Sequence, residues 1–217
     1  MIEQIRQQEI ARILLEKHAV IINPIKPFTY ASGMKSPIYC DNRALLSYPD
    51  ARDKIVDAML HIIAQKVQDF DIIAGVATAG IPWASIIADR LEKPLIYVRA
   101  KPKEHGRENQ IEGRFERGQR VLIIEDHIST GGSSVRAIHP VRDAGGIVEC
   151  CLAISSYEMA EAEEAFRNAN CRLYTGTVFS AIGEEATALG RITEDQKRIV
   201  LDWKTDPKGW AKKYGFE

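Results

Sequence analysis

Short apolar segments alternate with helix-like segments over residues 71–178, and this alternation constrains the fold more than any other feature of the sequence. Strands that are apolar throughout are typical of a parallel sheet whose two faces are both buried. The helices between such strands cover those faces. The sequence therefore predicts an α/β fold with a mostly parallel sheet and helices on both faces. The predicted strands are Asp71–Val76, Pro94–Arg99, Arg120–Ile124, Ile147–Ser155 and Cys171–Val178, and the predicted helices are Ile81–Leu91, Ser133–Ala144 and Met159–Asn168.

The segments on either side of this alternation are predicted to add helices and a small hood. Isoleucine and leucine recur near helical spacing within the first 15 residues. A region rich in proline and glycine follows, and Ser47 with Pro49 is suited to the start of another helix. Two more helices are expected near the C-terminus, the second starting near Thr193. We expect residues 1–217 to form one domain, with the hood over about residues 1–45.

Charge and hydropathy argue against several classes of protein. The formal net charge is −1, without the clustered basic excess of a nucleic-acid-binding surface. No apolar run approaches the length of a membrane span, and residues 1–19 lack the apolar core of a signal peptide. We therefore expect a cytoplasmic protein that binds neither nucleic acid nor membrane. The cysteines (Cys40, Cys150, Cys151 and Cys171) form no Cys-x-x-Cys pair, which favours reduced, buried thiols over a zinc or disulfide site.

The strongest chemical motif follows the third predicted strand. The apolar residues 121–124 lead into the acids Glu125 and Asp126, then into a turn rich in hydroxyls and glycine, and then into a helix. Ligands bind at the carboxyl ends of strands in parallel sheets. Glycine lets the backbone approach a ligand, and free N–H groups at a helix start favour a phosphate. Paired carboxylates suit sugar hydroxyls or Mg²⁺-bound water. An ordinary capped turn would not require both features.

Two further junctions carry weaker signals. Residues 75–82 place small residues between a strand and a helix, which permits close approach to an anion but also occurs for packing alone. Residues 100–113 form a long polar segment between two strands, and such insertions are usually functional or disordered. A solvated surface loop remains an equal alternative from the residues alone. No G-x-G-x-x-G follows a strand, and no lysine follows the glycines as in a Walker loop.

Residues 121–133 resemble the phosphoribosyl pyrophosphate (PRPP) signature of the type I phosphoribosyltransferases. The resemblance implies that family's fold, a pyrophosphate loop at Thr78, Ala79 and Gly80, and a mobile catalytic loop over about residues 100–117. It implies catalytic roles for Lys103, His105 and Asp126. The residues that it implies in PRPP binding are Arg99, Lys103, His105, Glu125, Asp126, His127, Ile128, Ser129, Thr130, Gly131, Gly132 and Ser133.

Residues 28–39 are similar to the hood of orotate phosphoribosyltransferases, with its Ser-Gly and Lys-Ser-Pro steps. This similarity implies orotate as the second substrate, bound by Ser129 and Tyr39, and a homodimer whose loop completes the neighbouring active site. It also implies Mg²⁺ as cofactor, held through PRPP and water near Glu125 and Asp126 rather than by direct protein ligands. The chain lacks charged residues that members of this family carry at Ala31, Ala79, Ala100 and near Tyr157, and His127 replaces an aliphatic residue.

Two alternative functions remain open at this point. One is a phosphoribosyltransferase for another base, such as a purine. The other is a PRPP-sensing regulatory protein that keeps the binding turn but does no chemistry. The hood segment favours orotate over a purine, and the loop cations Lys103 and His105 favour an enzyme over a regulator.

Overall fold

The structure is a computed structural model that describes residues 2–30, 32–101 and 110–216, with side chains described from residue 6 onward. In these ranges the helices are α1 (Ile2–Glu16), α2 (Pro49–Lys66), α3 (Gly80–Arg90), α4 (Gly132–Asp143), α5 (Ala160–Asn168), α6 (Phe179–Ala188), α7 (Glu194–Asp202) and α8 (Trp210–Lys213). The strands are β1 (Val20–Ile22), β2 (Phe28–Thr29), β3 (Lys35–Ser36), β4 (Ile38–Cys40), β5 (Ile72–Val76), β6 (Leu95–Val98), β7 (Ile111–Glu112), β8 (Val121–Ile128), β9 (Cys150–Ser156) and β10 (Arg172–Val178).

Six of these strands form one sheet in the order β10-β9-β8-β5-β6-β7. Neighbouring strands are parallel except for β6 and β7, which are antiparallel. The mostly parallel α/β sheet predicted from the sequence is therefore confirmed. The chain passes from β5 to its neighbour β6 on one side, and later enters β8 on the other side and continues outward to β9 and β10. The direction of winding thus reverses between β5 and β8.

Both faces of the sheet are buried, as the continuous apolar strands require. All five residues of β5 are buried, and their side chains alternate between the faces. Ile73 joins a core cluster that includes Trp83 of α3, whereas Ile72 joins a second cluster that includes Ile138 of α4. Because α3 and α4 cover opposite faces, the helices that follow β5 and β8 leave the sheet in opposite directions.

The start of α2 differs from the sequence prediction, because Ser47 is not its cap. The side chain of Asp41 accepts a hydrogen bond from the Arg43 backbone N–H and caps a 3₁₀ helix over Asn42–Ser47. Ser47 is the last residue of that 3₁₀ helix. The N-cap of α2 is Tyr48, which makes no side-chain capping bond, and Pro49 is the first helical residue as expected.

The residues predicted to form the hood divide into two parts. Helix α1 packs against α6 and β10. The later part contains two small antiparallel pairs, β1 with β4 and β2 with β3. Trp203 holds this part to the C-terminal helices: its indole N–H donates to the Lys35 carbonyl over 3.0 Å, and its ring contacts Tyr30 edge-on.

The described cysteines form no disulfide. Cys151 and Cys171 are buried and Cys40 and Cys150 are half-buried, so the prediction of buried thiols is fully met at two of the positions. Burial raises the pKa of Cys40 to about 12 and that of Cys150 to about 11, which makes both poor nucleophiles. Among the described helices, none combines the length and the apolar character that crossing a bilayer would require.

Candidate active site

The three junctions singled out in the sequence lie side by side at the carboxyl edge of the sheet. Strand β5 pairs with both β8 and β6, and the register places Gly75 beside Ile124 and Val76 beside Val98. The residues that follow these three strands therefore share one edge. The winding reversal between β5 and β8 opens a crevice at the same place, where α/β sheets bind their ligands. The topology and the motifs thus indicate one site.

Strand β8 runs through the acids instead of ending before them, which corrects the predicted end at Ile124. Its pairing with β9 continues to His127 beside Ser155 and Ile128 beside Ser156. Glu125 is only 5 % exposed. Its carboxylate accepts a hydrogen bond from the Ser134 hydroxyl and another from the Asp126 backbone N–H, both at 3.1 Å. Two adjacent carboxyl groups, here called the acid pair, are therefore held in a largely buried position.

Burial makes the acid pair difficult to ionise. It raises the pKa of Glu125 to about 8 from an ordinary value of 4.5, and the negative charge of Asp126 adds to that rise. Burial also raises the pKa of Asp126, while the positive charge of Arg43 opposes this effect. A ligand that brings hydrogen-bond donors or positive charge to this pair would relieve the cost of ionising it.

We call Ser129 to Ser133 the phosphate turn, which comprises the connection from β8 and the first two residues of α4. Gly131 has a positive φ of 76° and is the N-cap of α4. A side chain there would be strained and would place its Cβ 3.1 Å from the Phe166 ring. The first backbone N–H that returns into the helix is that of Val135, which donates to the Gly131 carbonyl. The preceding N–H groups are those that a helix start leaves available for an anion.

The predicted pyrophosphate loop is in direct contact with the acid pair. A Cβ built on Gly80 would lie 2.6 Å from the Ile124 carbonyl oxygen and 3.4 Å from a carboxylate oxygen of Glu125. Only glycine fits this approach. Ala77 directly precedes the loop; its N–H donates to the Val98 carbonyl over 2.9 Å, and the Ala77–Thr78 peptide is cis. Thr78 is exposed and Ala79 is half-buried.

The base of the predicted catalytic loop is clamped by Arg99 and Gln110. The Arg99 N–H donates to the Gln110 carbonyl over 2.8 Å, and the Gln110 amide donates back to the Arg99 carbonyl over 3.1 Å. The Arg99 guanidinium lies 3.8 Å from the Glu112 carboxylate. Part of the segment read as irregular is therefore strand, because Ile111 and Glu112 pair with β6. Lys103 and His105 lie outside the described residues.

Asn42 and Arg43 are site residues that the sequence reasoning missed. Asn42 is fully buried, and its amide donates to the Asp126 carbonyl over 2.7 Å and to the Ser155 hydroxyl over 3.0 Å. It thus ties the hood to β8 and β9 directly beneath the acid pair. The available signal was the polar run Asp41-Asn42-Arg43 after β4, but a strand of three residues is too short to be recognised in advance.

His127 is directed into the interior rather than toward the crevice. Its Nδ1 lies 2.8 Å from the Ser155 hydroxyl, and its ring meets Tyr157 edge-on at 4.1 Å between centroids. Its Nε2 is buried without a hydrogen-bond partner among the described residues. Burial lowers the pKa of His127 to about 3, so the ring is neutral at physiological pH. Ile128 is also buried.

Ser129 and Tyr39 are the two predicted orotate-binding residues, and within the described residues no hydrogen bond connects them. The Ser129 hydroxyl makes a long contact of 3.9 Å with the Met159 sulfur. Tyr39 is 42 % exposed, and its ring packs against Phe28. Tyr157, near the position of the absent family arginine, is instead buried, with its hydroxyl 3.0 Å from that of Tyr30.

Comparison with known proteins identifies the family. The sequence model of the phosphoribosyl transferase domain matches residues 48–171. Orotate phosphoribosyltransferase of Coxiella burnetii is 48 % identical over 202 residues, which cover 93 % of this chain and 97 % of that protein. The chain belongs to the orotate phosphoribosyltransferase family. Another family member, from Aeropyrum pernix, has a crystal structure with a TM-score of 0.73 and 32 % identity, covering 84 % of this chain and 98 % of that one.

A Mycobacterium tuberculosis orotate phosphoribosyltransferase, solved in complex with PRPP, has a TM-score of 0.64 and 25 % identity, covering 82 % of this chain and 99 % of that one. Membership of the family agrees with the resemblance noted in the signature and in the hood. It also accounts for the type I phosphoribosyltransferase-like sheet.

Proposed function

We propose that this chain transfers the 5-phosphoribosyl group of PRPP to orotate, giving orotidine 5′-monophosphate and pyrophosphate in pyrimidine biosynthesis. The observation that carries the proposal is the convergence of the acid pair, the phosphate turn and the pyrophosphate loop at one crevice, in a chain of this family. A nitrogen of the orotate ring attacks the anomeric carbon while the bond from that carbon to pyrophosphate breaks, and the proton carried by that nitrogen is released to solvent. No protein nucleophile is required.

The residues of the site have distinct roles in this proposal. The 5′-phosphate of PRPP lies in the phosphate turn, where the start of α4 supplies N–H donors. Glu125 and Asp126 receive the ribose hydroxyls as hydrogen-bond acceptors. Thr78, Ala79 and Gly80 face the pyrophosphate, and Arg99 with Lys103 and His105 stabilises the negative charge that grows on it as it leaves.

Mg²⁺ fits the oxygen chemistry of the acid pair. Carboxylate oxygens and water are its preferred ligands, and a cation would favour ionisation of two carboxyls that burial disfavours. Within residues 6–30, 32–101 and 110–216, whose side chains the structure describes, no group of three or more His, Cys, Asp or Glu side chains could hold a metal. The ion is therefore proposed to be held through PRPP and water near Glu125 and Asp126, where it would supply charge neutralisation on the pyrophosphate.

Base comparison tests this proposal against its alternatives. Release of pyrophosphate from PRPP is measured with Mg²⁺ and with orotate, hypoxanthine, adenine or no base. We expect pyrophosphate release only when orotate is the base supplied. Turnover with a purine base instead would favour a phosphoribosyltransferase for another base. PRPP binding without turnover of any base would favour a regulatory protein.

We also propose a two-fold homodimer in which the loop of about residues 100–117 completes the neighbouring active site. Lys103→Ala damages the loop and Asp126→Ala damages the acid pair, so each variant alone should be nearly inactive. When protomers exchange randomly, about half of the dimers are mixed and each mixed dimer holds one intact site, so roughly a quarter of wild-type activity should return. If no activity returns although exchange of protomers has been verified independently, loop sharing would be contradicted.

A cytoplasmic location stays a prediction that cell fractionation tests.

A further inference from the structure

The phosphate turn itself contains no basic side chain. Residues 125–133 include two carboxylates and several hydroxyls but neither lysine nor arginine. A phosphate monoester carries about −1.5 to −2 charges at neutral pH. Backbone N–H groups and hydroxyls can orient such a group, but a nearby cation would balance its charge beside two acids. A basic side chain that reaches this turn from outside it is therefore of interest.

Arg136, one helical turn into α4, lies at this position. A Cβ built on Gly132 would be 3.2 Å from a guanidinium nitrogen of Arg136 and 3.9 Å from the Thr130 hydroxyl. The guanidinium thus folds back over the first turn of its own helix, as side chains four residues apart do. Arg136 also lines a small cleft together with Ser133, Ala77 and Arg99. Its charge is placed between the phosphate turn and the ends of β5 and β6.

The contacts of Arg136 differ from those of Arg142 on the same helix. Arg142 donates to the carbonyls of Ala169 and Val148 at 2.6 Å and 2.5 Å, so its guanidinium is used in packing. Arg136 is exposed, and within the described ranges it makes no ion pair with a carboxylate. Its positive charge is therefore available to a ligand.

We propose that Arg136 binds the 5′-phosphate of PRPP, and equally the 5′-phosphate of the nucleotide product. This inference rests on the proposed function. The 5′-phosphate is favoured over the pyrophosphate because the guanidinium lies over Gly132, beside the free N–H groups of the helix start. An arginine at this place would form charge-assisted hydrogen bonds to the phosphate oxygens. Arg136 is thus a binding and positioning residue that holds the ribose over the acid pair.

Ribose 5-phosphate separates the two phosphate sites, because it carries the 5′-phosphate and lacks the pyrophosphate. Calorimetry measures the binding of ribose 5-phosphate and of inorganic pyrophosphate to four proteins. These are the wild type, Arg136→Gln, Arg136→Lys and Arg172→Gln. The last is a matched control, because Arg172 is exposed at the start of β10, on the opposite edge of the sheet. Arg136→Gln should weaken ribose 5-phosphate about tenfold, the loss of one charged hydrogen bond, with pyrophosphate unchanged. Arg136→Lys should recover part of that loss.

Kinetics in both directions complete the test. Arg136→Gln should raise the KM of PRPP and of orotidine 5′-monophosphate about tenfold, with the KM of orotate and of pyrophosphate unchanged. Equal binding of ribose 5-phosphate by Arg136→Gln and wild type would overturn the assignment, and so would a loss confined to pyrophosphate. Failure of the wild type to use orotate would overturn the proposed function, and the ribose 5-phosphate comparison would still decide the role of Arg136.

Discussion

Replacing Glu125 by glutamine should stabilise the free protein, and the gain should appear only as the pH rises. The pKa of Glu125 is raised to about 8 in the folded state, against an ordinary value of 4.5. Below pH 4.5 both states hold the proton, so the group contributes nothing. Between these values the unfolded chain releases a proton that the folded chain retains, so the free energy of unfolding of the wild type falls. Glutamine does not ionise, so the free energy of unfolding of the variant does not fall with pH for this reason.

The interval between 4.5 and about 8 sets an upper limit of about 5 kcal/mol on this effect. Glutamine keeps one oxygen acceptor for the Asp126 N–H, and the Ser134 hydroxyl can turn to accept from the new amide. Imperfect replacement of these hydrogen bonds costs about 1 kcal/mol each. We therefore expect a net gain of about 2 kcal/mol at pH 8, or a rise of roughly 4–8 °C in Tm for a chain of this size.

Urea unfolding at pH 4 and at pH 8 measures the effect, with Glu164→Gln on the exposed face of α5 as the control. At pH 4 only the hydrogen-bond cost remains, so Glu125→Gln should be less stable than the wild type by about 2 kcal/mol. At pH 8 it should be more stable by about 2 kcal/mol, while PRPP binding weakens. A gain of equal size at both pH values would refute the ionisation argument. A loss of stability at pH 8 would show that the hydrogen bonds outweigh the burial of charge.

Three further substitutions test the site. Asn42→Ala removes the donor to the Asp126 carbonyl and to Ser155, so it should cost about 1–3 kcal/mol by urea unfolding and lower kcat/KM. The control Asn23→Ala should leave kcat/KM unchanged, because the half-buried Asn23 side chain accepts hydrogen bonds from the Ile25 and Lys26 backbone, away from the acid pair. Gly80→Ala places a Cβ 2.6 Å from the Ile124 carbonyl oxygen, so it should cost about 1–3 kcal/mol and raise the KM of PRPP; unchanged stability would mean that the loop can shift. Ser129→Ala should raise the KM of orotate more than that of PRPP, and an increase confined to PRPP would reassign Ser129 to the phosphate.

Much of the fold could be predicted because its strands are buried on both faces. Every residue of β5 is apolar or glycine, and the same holds for the first half of β8. The end of β8 could not be predicted, because Glu125, Asp126 and His127 look like the start of a loop. They remain in the strand because the ladder with β9 continues to Ile128. Pairing with a neighbouring strand, which is a tertiary effect, decided the boundary.

The sequence could suggest candidate site residues where they are consecutive along the chain, and not where they meet only in the fold. The acids and the glycine turn follow one another along the chain. Asn42 reaches Asp126 across 84 positions, from a region whose strands are two or three residues long. Arg136 belongs to no motif, and only the helical turn that brings it back over Gly132 makes it relevant.

Formation of orotidine 5′-monophosphate is the most direct measurement of the central claim. Purified protein is incubated with Mg²⁺, PRPP and orotate, and the nucleotide is identified by mass while pyrophosphate is counted in the same sample. We expect both products in equal amounts, no nucleotide when orotate is omitted, and loss of both products in Asp126→Asn under conditions where its thermal unfolding remains cooperative. Absence of orotidine 5′-monophosphate from a folded wild-type protein that binds PRPP would contradict the proposed function.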